Sequence, residues 1–166
     1  MQTLSISGPF DIPCYTGKAG RAIDRDAITE FWSTHKSVAT KKGCYIFGIR
    51  AGRGYTPIYV GKATRSFKQE CFTYHKLDHY HRCLVDYAKG TPVMFFAVMP
   101  ATRGRTNNNV IGEVERYLIA LGETANPDLS NIQGRASDTW GIKGVVRGGK
   151  GKATKAAEAF KRMMGL

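Results

Sequence analysis

The sequence predicts one domain of α/β (α+β) class spanning residues 1–166. Three observations predict it. The chain has 166 residues, 42% of them apolar, which suits one ordinary domain with a buried core. Strand-like runs at 43–49, 58–61 and 93–99 are separated by turn-formers. Around them lie segments whose apolar residues recur every three or four positions, the mark of amphipathic helix.

Residues 1–20, rich in Gly and Pro, read as an irregular lead-in. A short helix follows Asp26, its cap, with Ala27, Ile28, Phe31 and Trp32 on one side. The run 43–49 reads as a strand. Turn-formers crowd residues 50–57, and 58–61 reads as a second strand, so the two form a hairpin whose loop exceeds two residues. Ser66 and Gln69 have the form of a capping box. Phe67, Cys71, Tyr74, Leu77, Tyr80, Leu84 and Tyr87 then mark one long helix or two short ones ending near Gly90. The continuous apolar run 93–99 predicts a third strand, buried on both faces. Beyond a polar loop holding Arg103 and Arg105, Asn109 caps a helix over 110–121. Residues 126–131 form a turn. A Gly/Lys/Arg-rich stretch follows Trp140, and a last helix covers 154–164 with Ala157, Phe160 and Met164 on one side.

Charge narrows the partners. Lys and Arg number 25 against 13 Asp and Glu, a net +12. A domain this basic meets a polyanion, and nucleic acid is the commonest. No apolar run is long enough to cross a membrane. The first residues lack a secretion signal, so the expected location is intracellular, cytoplasmic. Cys14, Cys44, Cys71 and Cys83 include no Cys-x-x-Cys pair, so they read as reduced thiols.

One carboxylate is conspicuous. On a helical wheel Ile111, Val114, Leu118 and Leu121 form a stripe, and Glu115 falls within it or at its edge, while Glu113 points the other way. A carboxylate beside a core-facing stripe is costly unless paired, solvated or bound to a metal. All three readings stay open at this point.

The hairpin tripeptides Gly43-Cys44-Tyr45 and Tyr59-Val60-Gly61, with Lys62-Ala63 following, resemble the two namesake motifs of the GIY-YIG nucleases. The stretch Ile58-Tyr59-Val60-Gly61-Lys62-Ala63 is similar to the excision-repair incision branch of that family. Glu115-Arg116-Tyr117-Leu118-Ile119 resembles its glutamate helix, and Asn126-Pro127-Asp128-Leu129-Ser130-Asn131 its proline-then-asparagine segment. The resemblance covers 43–131, leaving an N-terminal extension 1–42 and a basic C-terminal extension 132–166, both helical. It implies a three-stranded antiparallel sheet flanked by helices. It implies a DNA endonuclease that hydrolyses phosphodiester bonds with a divalent cation, Mg²⁺ or Mn²⁺. Glu115 would hold the metal, Tyr45 and Tyr59 would contact the water and the phosphate, Lys62 would neutralise charge and Asn131 would brace the site.

The family's helix arginine is missing. Gln69 and Glu70 occupy its neighbourhood, which bears on rate, because a fixed guanidinium is a strong stabiliser of phosphoryl transition states. Arg65, one helical turn earlier, is the preferred substitute; Lys76, followed by Tyr80, and the loop arginines are the others. His75 falls near the family's histidine or tyrosine. The candidate DNA contacts are Lys68, Arg103, Arg105, Arg147, Lys150 and Lys152. Cys71, His75, His79 and Cys83 look like a metal tetrad, but on one straight helix the outer two would stand about 18 Å apart. The stretch 148–154 lacks the first glycine and the hydroxyl residue of a phosphate-binding P-loop. The alternative to a nuclease is a nucleic-acid-binding module on the same core with weak or no catalysis.

Overall fold

The computed structural model describes residues 2–18, 20–101, 106–130, 140–146 and 152–166. Its elements are β1 (Gln2–Asp11), β2 (Tyr15–Gly17), β3 (Gly20–Ala22), α1 (Arg25–Thr34), α2 (Lys36–Ala39), β4 (Gly43–Ala51), β5 (Gly54–Ala63), α3 (Phe67–Glu70), α4 (Tyr74–Asp86), β6 (Thr91–Val98), α5 (Asn108–Ala125), β7 (Trp140–Ile142) and α6 (Lys155–Met163).

The expected three-stranded antiparallel sheet is corrected. The main sheet has five strands in the order β5-β4-β6-β1-β7, and β2 with β3 forms a separate two-stranded sheet. The three predicted strands are one side of this larger sheet, mutually antiparallel. To them β1 adds antiparallel against β6, and β7 adds parallel to β1, which makes the sheet mixed. The N-terminal extension therefore opens with a strand rather than an irregular lead-in. Its Gly8-Pro9 pair reads as a turn in sequence. In the fold the pair falls where the β1–β6 register shifts, between Ser7 and Phe10, so the strand continues through an irregularity. With three residues, β7 is too short to show any period.

The hairpin is also tighter than expected. Ala51 faces Gly54, leaving two residues in the turn. The turn-formers Gly54 and Pro57 lie inside β5 instead. Because β5 is the sheet's edge, proline there removes no ladder hydrogen bond that the fold needs. Asp24, not Asp26, caps α1, and Asn107, not Asn109, caps α5. The helical stretch after Ser66 is two helices. Ser66 caps α3 by accepting from the Gln69 amide at 3.3 Å, and a break at 71–73 precedes α4.

Strand alternation divides the core by the sheet's two faces. Cys44, Ile46, Val60, Val93, Phe95 and Ala97 face α5 and α6, where Val110, Ile111, Val114, Leu118 and Phe160 meet them. Tyr45, Phe47, Met94 and Phe96 face the opposite way, toward α1, α3 and α4, among Phe31, Trp32, Phe67 and Tyr80. No helix among the described residues is long and apolar enough to cross a membrane.

Candidate active site

The hairpin register places Tyr45 opposite Gly61 and Phe47 opposite Tyr59. Opposed residues share a face, so the two tyrosines lie together, their ring centroids 6.3 Å apart. Both tripeptide glycines are sterically required. A Cβ on Gly61 would come within 2.3 Å of the Tyr45 hydroxyl, and one on Gly43 within 2.0 Å of the Ala97 carbonyl oxygen. Gly61 therefore lets the Tyr45 ring lie across β5.

The Tyr45 hydroxyl is buried and makes no hydrogen bond of ordinary geometry, yet it lies close enough to the Tyr59 and Tyr80 hydroxyls to lower their ionisation as a donor does. Burial pushes its ionisation far above the ordinary tyrosine value, and nearby Tyr80, Cys71, Tyr59 and Glu115 push the same way. Tyr45 is thus a neutral donor whose nearest acceptors are the Tyr59 and Tyr80 hydroxyls. Tyr59 is less deeply buried. Its ionisation is raised by burial and by the Glu115 charge, and the Tyr45 hydroxyl partly offsets the rise. Neither tyrosine is poised as a base.

Glu115 enters from α5, across the sheet edge. Its neighbours Ile111, Val114, Leu118 and Ile119 are buried, and its own side chain is 17% exposed. One carboxylate oxygen accepts from the Lys62 ammonium at 2.8 Å. Lys62 is 48% exposed, so this pair adds under about 1 kcal/mol to stability. The Glu115 charge also acts on Tyr45, Tyr59 and Lys76, which makes it electrically part of their cluster. Glu113 does not turn away as expected. It is half-buried and lines the same open cleft, of about 540 Å³, as Lys62, Asn109, Glu115 and Arg116.

Lys76 supplies the basic group nearest the tyrosines. The short α3 leaves carbonyls without helical partners at its end, and the Lys76 ammonium donates to that of Glu70. In this position its nitrogen lies 5.0 Å from the Tyr45 ring centroid, within range of a cation–π attraction. Burial lowers its pKa, with Cys71, Glu70 and Glu115 acting against the fall. One turn on, Tyr80 stacks on Phe47 with centroids 4.1 Å apart, and its hydroxyl donates to the Cys71 carbonyl at 2.9 Å. The signal for Lys76 in the sequence was its spacing of four from Tyr80.

The other expected residues fall elsewhere. Arg65 is 70% exposed and sits 3.8 Å from Glu70. His75 is exposed, its ring beside that of Tyr74. Lys68 and Lys152 are exposed. Asn131, Arg103, Arg105, Arg147 and Lys150 lie outside the described residues. Two residues were not expected. His79 stacks on Tyr59 at 5.5 Å between centroids. Asn126 is buried and donates to the Pro57 carbonyl at 2.7 Å, fastening the segment after α5 to the edge of β5.

Glu115 offers a carboxylate with one oxygen not taken by Lys62, and hard ions such as Mg²⁺ or Mn²⁺ accept one or two protein carboxylates, completing their shell with water and phosphate. Among the described residues no group of three or more His, Cys, Asp or Glu is placed to hold a metal. Compared with protein-family models, with curated proteins and with solved structures, the chain finds no match.

Proposed function

We propose that this protein is a metal-dependent endonuclease of GIY-YIG type that hydrolyses phosphodiester bonds in DNA. The observation that carries the reading is the cluster in which Tyr45 lies over Gly61, beside Tyr59 and Lys76 and within the field of Glu115. The +12 charge favours a polyanion as the ligand.

In this reading Glu115 holds Mg²⁺ or Mn²⁺, which when bound supplies Lewis-acid charge and an acidified water. Lys76 places a positive charge where charge builds on the phosphate. Tyr45 and Tyr59 stay protonated and orient oxygen atoms by donating hydrogen bonds. Lys62 offsets the Glu115 charge when no cation does. The four unpaired cysteines fit a reducing, cytoplasmic setting.

The second reading, a DNA-binding module with weak or no catalysis, is favoured by one observation. A lysine, not a forked guanidinium, faces Tyr45. A cleavage panel of single-stranded, duplex and branched DNA, with Mg²⁺, Mn²⁺ or EDTA, separates the two. The nuclease reading expects cuts that EDTA abolishes. Binding that falls steeply with salt, without cuts, supports the module.

A further inference from the structure

Beyond Tyr59 lies a second cleft that the proposed chemistry does not use. It holds about 660 Å³ between the C-terminal half of α4, Ile58 of β5 and the segment after α5. His79, Asp86, Tyr87, Asp128 and Ser130 are in its wall. The His79 ring stacks on Tyr59, so the cleft adjoins the tyrosine pair.

Its charge runs against that of the molecule. The chain carries 25 basic and 13 acidic side chains, yet two aspartates stand in this one cleft. Among the described residues neither accepts a hydrogen bond or forms an ion pair; Arg82, also in the wall, pairs with Asp78. Both aspartates are exposed; carboxylates repel phosphate and, being acceptors only, pair with a donor edge. The His79 and Tyr87 side chains in the wall offer aromatic surface of the kind that unstacked bases use. A nucleobase brings both, a planar ring and N–H donors, and a bound strand would carry one beside the proposed phosphate position.

We propose that this cleft receives an unpaired guanine from a nucleotide next to the one held at Tyr59. Guanine presents its N1–H and 2-amino donors side by side, and these match the two oxygens of one carboxylate. The proposal rests on the nucleic-acid reading above. It makes the protein selective for a splayed or single-stranded guanine close to the bound phosphate.

Fluorescence anisotropy tests it, using a labelled all-thymidine oligonucleotide and the same strand with one central dG, dI, dA or dC. The expected result is binding about tenfold tighter with dG than with thymidine. Inosine, lacking the 2-amino group, should lose most of that preference. In the double variant Asp86→Asn/Asp128→Asn, checked for folding by circular dichroism, the preference should vanish while the all-thymidine affinity does not fall. Equal affinity for all strands, tighter binding of dA or dC, or a preference that survives the double variant overturns the guanine cleft and leaves the nucleic-acid reading standing. If no strand binds even at low salt, both fall together.

Discussion

The two faces of the central sheet are built from the same three strands and differ in what they bury. The face toward α5 and α6 is chiefly aliphatic, with Ile46, Val60, Val93, Val114 and Leu118 at its centre. The face toward α1, α3 and α4 is aromatic, and it holds polar groups that burial penalises: the Tyr45 hydroxyl, the Tyr80 hydroxyl, the Cys71 thiol and the Lys76 ammonium. An interior built only for stability does not need those groups. The difference teaches that one face is packed for cohesion while the other also buries polar groups, and that is where the proposed site lies. Glu115 is the exception that links them, since it rides on the stabilising face yet reaches the aromatic one through its charge at the open edge of β5.

That division predicts two kinds of variant. Phe160→Ala, wholly inside the aliphatic core, should lower stability by about 3–5 kcal/mol in chemical unfolding and leave cleavage per folded molecule unchanged. Lys76→Ala should do the reverse. Cleavage should fall about a hundredfold with little loss of stability, Lys76→Arg should recover part of it, and Arg65→Ala should change the rate less than twofold. Gly61→Ala forces the Tyr45 ring from its place; a stability cost of about 1–3 kcal/mol, with cleavage reduced more than in Phe160→Ala at equal folded fraction, would sharpen the contrast.

A further effect is on pH. Burial raises the ionisation of Tyr45, Tyr80 and Cys71 on the aromatic face and of Cys44 on the other. A group whose folded pKa lies above its unfolded value gives its stability in full below the unfolded value and loses it as pH rises further. The unfolded values are 9.0 for cysteine and 10.0 for tyrosine. Stability should therefore hold below pH 9 and fall above pH 9 to 10, by about 1.4 kcal/mol per pH unit for each such group still protonated. Urea unfolding across that range, followed by tyrosinate absorbance, checks it. Tyr45→Phe should make the fall shallower.

Much of this was legible in the sequence where a local rule decides the outcome. The hairpin tyrosines come from the resemblance to the two namesake motifs, and the Glu115 anomaly follows from the helical wheel. What escaped depends on contacts distant in sequence. Strand β1 was hidden because its Gly8-Pro9 pair reads as a turn, although Leu4 and Ile6 lie in the aliphatic core. Lys76 lost to Arg65 because sequence distance from Tyr59 favours the arginine, whereas the break after α3 turns Lys76 inward. His79 looked like one member of a helical row until Tyr59 was seen beneath it.

The central claim is that Glu115 is the chemical carboxylate of the site. Cleavage and melting temperature measured side by side for the wild type, Glu115→Gln and Glu123→Gln test it most directly. Glu123 is the control because it lies two turns along the same helix and outside the Glu115 cleft. The account predicts metal-dependent cutting by the wild type and by Glu123→Gln, and no detectable cutting by Glu115→Gln, with its melting temperature within about 3 °C of the wild type and its DNA binding retained. A Glu115→Gln protein that cuts as the wild type does, with a lowered melting temperature, would contradict it: Glu115 would then be only the ion-pair partner of Lys62.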